Sequence, residues 1–280
     1  MDGPVSKEPD SVIDAAGLQQ NLQGRLPRPL QCLHAAECDS TNRECQRLLE
    51  QQGGEDGIWV VSADRQRAGR GRRGRSWLSD RPDNIYCSIG LVLELPPETL
   101  GLLSLLTGVS LAECLQRHEF RPQLKWPNDL LIAGRKLGGI LIENRALGSD
   151  RHALTIGFGL NRRLDAEQLR AIEQPATSLQ QHGQPPPRQA LLQDLLTGLL
   201  PELLAFGPRD TNLLLQRFAA LDAYRDRQAC VVSGEQELRG ICRGIDRQGC
   251  LLLEMDGRMH RFQAAEISLR PRGRGDDAAA

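Results

Sequence analysis

Six arginines fall between Arg65 and Arg75, in the run Asp64-Arg-Gln-Arg-Ala-Gly69-Arg-Gly-Arg-Arg-Gly-Arg75-Ser-Trp77, with Gly69, Gly71 and Gly74 among them. Glycine lets a backbone curl tightly and turn its N–H groups toward one point. Arginine adds a planar fork that matches phosphate oxygens. Together they make a candidate cradle for a polyphosphate. The like charges repel without an anion, so the empty loop is expected to be disordered. Three other readings compete. The glycines spell G-x-G-x-x-G after an apolar run, the dinucleotide fingerprint, but Ser76-Trp77 and Asp80-Arg81-Pro82 do not open the helix that holds a pyrophosphate. A solvated basic loop is a second reading. A nucleic-acid patch is a third, although no aromatic residue interleaves the cluster. No Walker motif occurs, which excludes a P-loop ATPase.

A second constellation is Lys125-Trp126-Pro127-Asn128-Asp129, followed by Arg135-Lys136-Leu137-Gly138-Gly139-Ile140. A lysine beside apolar strands is unfavourable unless an anion meets it. A glycine pair within a strand weakens packing unless a ligand or another backbone comes close. A surface hairpin with solvated charges fits these residues equally well. A third signal, Gly157-Phe158-Gly159-Leu160-Asn161, puts small residues before a polar amide at a strand end. It suits a ligand's edge, or a strand simply entering a loop.

These groups need a scaffold, and the rest of the chain supplies one. The chain has 280 residues, 40% hydrophobic and 25% charged, enough for a core and one or two domains. Its 35 Lys+Arg against 36 Asp+Glu leave a net charge of -1, which argues against a surface that binds nucleic acid or anionic membrane throughout. The eight cysteines form no C-x-x-C pair and several sit in apolar runs, so they read as buried reduced thiols. No signal peptide or long apolar span is present, which makes the cytoplasm the default compartment and gives no membrane partner.

Residues 1–28 contain Pro4, Pro9 and Pro27 and read as a weakly ordered leader with at most a short helical turn. A helix is expected over 41–52, with Thr41 and Glu44 as a capping box. Strands are expected over 58–63, 85–93, 124–126, 130–133, 137–143 and 154–160, with a turn at Gly134-Arg135. Helices are expected from Pro96-Pro97 onward, over 188–204 and over 210–220. After residue 227 short strands at 229–233, 238–245, 250–255, 258–263 and 267–269 follow one another without helices, as in a small barrel. The divisions are 1–28 leader, 29–225 main domain, 226–272 barrel and 273–280 disordered tail.

The three segments, in this order and preceded by Asp39-Ser40-Thr41-Asn42, resemble the biotin–protein ligase catalytic domain. The resemblance is dense from Cys32 to Leu160 and continues more weakly through Ala176-Thr177-Ser178-Leu179 and the C-terminal strands. It implies an α+β fold: a mixed sheet packed with helices, like class II synthetases, and a small C-terminal SH3-like barrel. It implies two steps, biotinoyl-AMP formation from biotin and ATP with magnesium, then transfer to a carrier-protein lysine. Ser40, Thr41, Asn42 and Gln66 would hold biotin's ureido ring, since their side chains carry compact donors and acceptors. Arg70, Gly71 and Arg72 would close over biotin and the phosphates, with Arg73 among the ATP contacts. Lys136 would meet the carboxylate and phosphoryl group, and Lys125 would assist. Asn128 and Asn161 would read adenine. Asp129 would position magnesium or the incoming amine. Trp77 would wall the biotin site, or serve as a plain core residue.

The implied partner is the biotin carboxyl carrier domain of a carboxylase. The family contains monomers and homodimers. Some members carry an N-terminal DNA-binding head, but the Pro-interrupted residues before the match leave no room for one, so no DNA partner is expected. A lipoate–protein ligase and a non-enzymatic RNA-binding module remain as alternatives.

Overall fold

A computed structural model describes residues 12–51, 57–233, 236–263 and 268–271. In chain order it contains α1 (Ala15–Gln23), β1 (Leu30–Cys38), α2 (Thr41–Gln51), β2 (Ile58–Gln66), β3 (Ile85–Glu94), α3 (Leu102–Arg117), β4 (Gln123–Lys125), β5 (Asp129–Ile132), β6 (Arg135–Ala146) and β7 (Arg151–Leu160). These are followed by α4 (Ala166–Ala171), α5 (Arg188–Ala205), α6 (Thr211–Leu221), β8 (Gln228–Ser233), β9 (Gln236–Ile245), β10 (Leu251–Met255), β11 (Arg258–Phe262) and β12 (Ser268–Pro271).

The first seven strands form one sheet in the order β1-β2-β3-β7-β6-β5-β4. β1 and β2 run parallel and the remaining pairs antiparallel, so the sheet is mixed. Strand alternation divides its side chains between two faces. Ile58 and Val60 join Leu154, Ile156 and the leucines of α3 and α5 in the main core. Trp59, Val61, Val92 and Ala153 face the other way and pack under Cys45, Leu48 and Leu49 of α2. The expected α+β architecture is present, with α2 on its own face.

The last five strands form an antiparallel sheet in the order β11-β10-β9-β8-β12, the SH3-like unit. It is tied to the main domain by the buried Trp126, whose indole Nε1 donates to the Gly249 carbonyl at 2.9 Å. Among the described residues, no single helix is long and apolar enough to cross a membrane.

Four local expectations need correction. Residues 15–23 are not a loose leader: Asp14 caps α1 through Ala16 N–H, Leu18 and Leu22 are buried, and Asn21 donates to Gln193 of α5 at 2.8 Å. Residues 1–11 and 272–280, with the expected tail, lie outside the described residues. Thr41 is already helical and Ser40 O accepts from Glu44 N–H, so Ser40 occupies the cap position and the Thr41–Glu44 box does not form. The β5–β6 turn is Ala133-Gly134, with φ of 50° and 73°. Positive φ at both central residues matches the twist of a tight hairpin and leaves Arg135 in the strand. The basic loop is an ordered hairpin, described below.

All eight cysteines are buried and free. Burial pushes the Cys32 thiol up to about 12 and those of Cys38, Cys114 and Cys242 to about 11. Thiolate is the reactive form. The native chain is therefore expected to react slowly with a disulfide reagent at pH 8 and to yield all eight thiols in denaturant. Leu22→Ala is expected to lower stability by about 2–5 kcal/mol in a urea melt, as for a core leucine; a loose leader would show no change.

Candidate functional site

The cleft opens on the α2 face, and glycine in the central strands makes it possible. A Cβ at Gly157 would lie 1.9 Å from Asn42 Oδ1, and one at Gly159 would lie 2.5 Å from the Trp77 indole nitrogen. The missing side chains let the start of α2 and Trp77 settle against the sheet. On β6 a register shift between Leu130 and Leu131 makes Leu137 the extra residue opposite β5. Such a bulge re-aims its neighbours. Lys136 then faces the cleft, where its ammonium lies 5.4 Å from the Trp77 ring centroid. Its backbone is pinned from the other side: Lys136 N–H donates to Pro175 O, and Thr177 N–H donates to Lys136 O, both at 2.9 Å.

The arginine run forms a narrow hairpin. Gly71 N–H donates to Arg75 O at 2.7 Å and Trp77 N–H to Gly69 O at 2.9 Å, with Arg73 turning the tip at a φ of 59°. Arg67 and Ala68 N–H donate to Cys38 and Asp39 carbonyls, which fastens the hairpin's base beside Ser40. Disorder is avoided because internal acceptors meet the charges. Arg70 lies 3.0 Å from Glu143, and Arg72 donates to Asn128 Oδ1 at 3.2 Å. Burial and the neighbouring Arg73 still lower the Arg72 pKa, the direction expected of a cation crowded by cations.

The structure brings Ser40, Thr41, Asn42, Gln66, Arg70, Gly71, Arg72, Trp77, Asn128 and Lys136 to one cleft. Lys125 and Asp129 line a small adjoining hollow instead. Asp129 sits 2.8 Å from the Lys136 ammonium and 3.9 Å from that of Lys125. Two predicted contacts fall elsewhere. Asn161 is buried, and its side chain donates to Thr177 O at 3.1 Å, so its amide secures the segment behind Lys136. Arg73 is exposed at the hairpin tip and lines an adjoining groove, which shares Arg72, Ile140 and Leu141 with the cleft and reaches Gln248 and Arg261 of the C-terminal unit. Asn128 lines the cleft, but its Nδ2 donates to Ile140 O at 2.8 Å while Oδ1 receives Arg72. Its carboxamide is thus committed to protein on both sides.

Two polar residues escaped the sequence reading. Ser88 Oγ lies 2.7 Å from Thr41 Oγ1 and 2.6 Å from Asn42 Oδ1. Glu143 accepts from Asn42 Nδ2 at 2.8 Å. Both sit inside strands whose apolar pattern hides them. Gln66 Oε1 accepts from Thr41 N–H at 2.9 Å, and Gln66 Nε2 donates to Ser79 Oγ at 2.9 Å. The cleft therefore joins a compact donor–acceptor pocket to a rim of cations, Arg70, Arg72, Arg75 and Lys136. It suits a ligand with a small neutral polar head and an anionic end, next to a polyanion.

A histidine array looks catalytic and is not. His34 stands 2.9 Å from Ser62 Oγ and 3.1 Å from Asp64 Oδ1. Ser62 is 2% exposed, and the same Asp64 oxygen accepts from buried Arg188 at 2.6 Å. Ser62 and Asp64 also share strand parity with Ile58 and Val60, so they lie on the sheet face opposite the cleft.

Residues 35–161 match the model of the biotin/lipoate A/B protein ligase family, and residues 228–270 match the biotin protein ligase C terminal domain. The bifunctional ligase/repressor BirA of Salmonella typhimurium is 36% identical over 264 residues, covering 94% of this chain and 80% of that protein. The biotin–[acetyl-CoA-carboxylase] ligase of Mycobacterium tuberculosis is 31% identical over 261 residues, covering 91% of this chain and 95% of that one. The solved biotin protein ligase of Aquifex aeolicus in complex with biotin and ATP aligns with a TM-score of 0.66 at 28% identity, covering 87% of this chain and 99% of that chain.

Gly159→Ala is expected to drive a methyl group into the Trp77 indole. Overpacking of this kind costs about 1–3 kcal/mol, readable as a lower urea midpoint. An unchanged midpoint would mean that the indole does not rest on this glycine.

Proposed function

The chain belongs to the biotin protein ligases of the biotin/lipoate A/B protein ligase family, and we propose that it makes biotinoyl-AMP from biotin and ATP and passes biotin to a carrier lysine. The observation that carries this reading is the junction of the small polar pocket with the cationic rim. Biotin is such a ligand: a neutral ureido ring at one end and a carboxylate at the other.

The ureido ring enters among Ser40, Thr41, Asn42 and Gln66, and the apolar ring system lies on the glycine floor beside Trp77. The carboxylate then reaches Lys136. In the first step a carboxylate oxygen attacks the α-phosphorus, the bond to the β-phosphate bridge breaks, and pyrophosphate leaves with the electron pair. Negative charge gathers on the phosphoryl oxygens as the bond forms, where a preorganised ammonium lowers the barrier. Asp129 keeps the Lys136 side chain on that line. Arg70 and Arg72 close over the product, and excluding water protects the mixed anhydride. In the second step a neutral lysine amine attacks the acyl carbon, the acyl C–O bond to the phosphate breaks with its electron pair leaving on AMP, the nitrogen's surplus proton passes to solvent, and an amide remains. A lysine in the carrier domain of a biotin-dependent carboxylase is the proposed acceptor.

Magnesium is implied by the resemblance, which points to Asp129 as its ligand. The residues here do not fit a resident site. Both Asp129 oxygens face ammonium groups, and among the described residues no cluster of three or more His, Cys, Asp or Glu side chains could hold a metal. Charge stabilisation by the protein falls to Lys136 and the arginines.

Biotin-dependent exchange of pyrophosphate into ATP is the deciding assay. Exchange with biotin and not with lipoate supports the reading; lipoate-dependent exchange selects a lipoate ligase, and no exchange with either acid defeats both. Lys136→Ala is expected to slow adenylation by about 10²–10³-fold, the range seen when one preorganised charge donor is removed. An unchanged exchange rate would strip Lys136 of its role. Arg72→Gly is expected to release biotinoyl-AMP early, read as biotin on bystander lysines; clean transfer would remove Arg72 from retention.

A further inference from the structure

Glu143 lies on β6 beyond the glycine pair, outside the family-like motifs, yet it touches both parts of the cleft. One carboxylate oxygen, Oε1, lies 3.0 Å from Arg70 on the hairpin. The other, Oε2, accepts from Asn42 Nδ2 at 2.8 Å. A carboxylate only accepts, so it fixes which end of the Asn42 amide faces it. The Leu141 carbonyl, 3.3 Å from the same nitrogen, agrees. Asn42 Oδ1 must then point to Ser88, 2.6 Å away. Ser88 lies against the Thr41 hydroxyl, Thr41 N–H donates to Gln66 Oε1, and Gln66 reaches Ser79, on the return leg of the hairpin. The contacts form a ring that leaves the hairpin at Arg70, passes under the polar pocket and rejoins it at Ser79. Glu143 is the only carboxylate in that ring among the described residues.

We propose that Glu143 is a positioning residue that holds the Asn42 amide in its biotin-binding orientation with one oxygen and latches the basic hairpin through Arg70 with the other. The proposal rests on the reading that the pocket takes biotin. Charge makes the arrangement specific. An amide at this position has one accepting end and one donating end, so it cannot serve both Asn42 and Arg70. Glu143→Gln has the same shape, and the side chain is 23% exposed, so the fold should survive. Ser88→Ala breaks only the pocket end of the ring and leaves the Arg70 latch in place.

The test uses the full chain in three forms: wild type, Glu143→Gln and Ser88→Ala. Calorimetry reads the biotin Kd, a chase experiment reads the release of bound biotinoyl-AMP, and a thermal melt confirms folding. Glu143→Gln is expected to weaken biotin and to speed adenylate release, each by about tenfold or more, the scale of a lost charge-assisted hydrogen bond. Ser88→Ala is expected to weaken biotin and to speed adenylate release by no more than that same factor, since the adenylate keeps its ureido ring in the pocket, whereas Glu143→Gln speeds release by more than its loss in biotin affinity because the Arg70 latch is gone as well. A Glu143→Gln protein that binds biotin and retains the adenylate like wild type would overturn the proposal, even with a lowered melting point, since a merely structural ion pair would give that result. Loss of only one of the two properties would also overturn the coupling. If the wild type itself shows no biotin-dependent exchange, the reading of the pocket fails instead, and the two failures are told apart.

Discussion

The structure depends on gathering cations around a cleft without letting them scatter one another. Arg70, Arg72, Arg75 and Lys136 share one rim, and like charges at such range repel strongly where water is thin. The carboxylates that answer them lie behind or beside the rim. Asp129 sits against Lys136, and Glu143 against Arg70. The cations are thereby held where they line the cleft. A chain of nearly zero net charge can thus gather positive charge at one cleft.

That placement is a property of the sheet. β6 carries Lys136 at one end of its glycine pair and Glu143 at the other, and a bulge at Leu137 turns the first toward the cleft. β7 supplies Gly157 and Gly159, where side chains would collide with Asn42 and Trp77. Glycine in a strand usually weakens it. Here the loss is offset by packing on the far face, where Ile156, Phe158 and Leu160 join the main core. The same strand is a floor for ligand on one side and a wall of the core on the other.

Much of this was legible in the chain. Most strand and helix positions follow from apolar spacing, though β1 and α4 were not read from it, and the short strands after residue 227 read correctly because turns punctuate them at close intervals. The residues of the arginine run and the Lys125–Asp129 segment announce themselves by type, whereas Ser40–Asn42 entered only through the resemblance. What failed to show was how polar groups pair across the fold. Ser88 stands in the apolar run Ile85–Glu94, and Glu143 ends another, so nothing local marks them. Asn161 shows the same limit: an amide at a strand end looks the same whether it meets a ligand or, as its Nδ2 does, the Thr177 carbonyl. α1 was underrated because nearby prolines outweighed Leu18 and Leu22, and their burial depends on α5, far along the chain.

The His34 array shows why contact geometry alone does not assign chemistry. Its distances match a nucleophile, base and orienting acid. A nucleophile also needs a substrate within reach and a base free to take its proton. Ser62 has neither, since it is closed into the face opposite the cleft and Arg188 competes for the same Asp64 oxygen. Arg188 also donates to the Ala63 and Asn84 carbonyls, so the cluster clamps β2 to the segment entering β3. β2 ends at Gln66, which touches Thr41 and Ser79. The buried charges therefore serve the cleft by fixing the strand that delivers Gln66, and the chemistry stays with the cations on the other face.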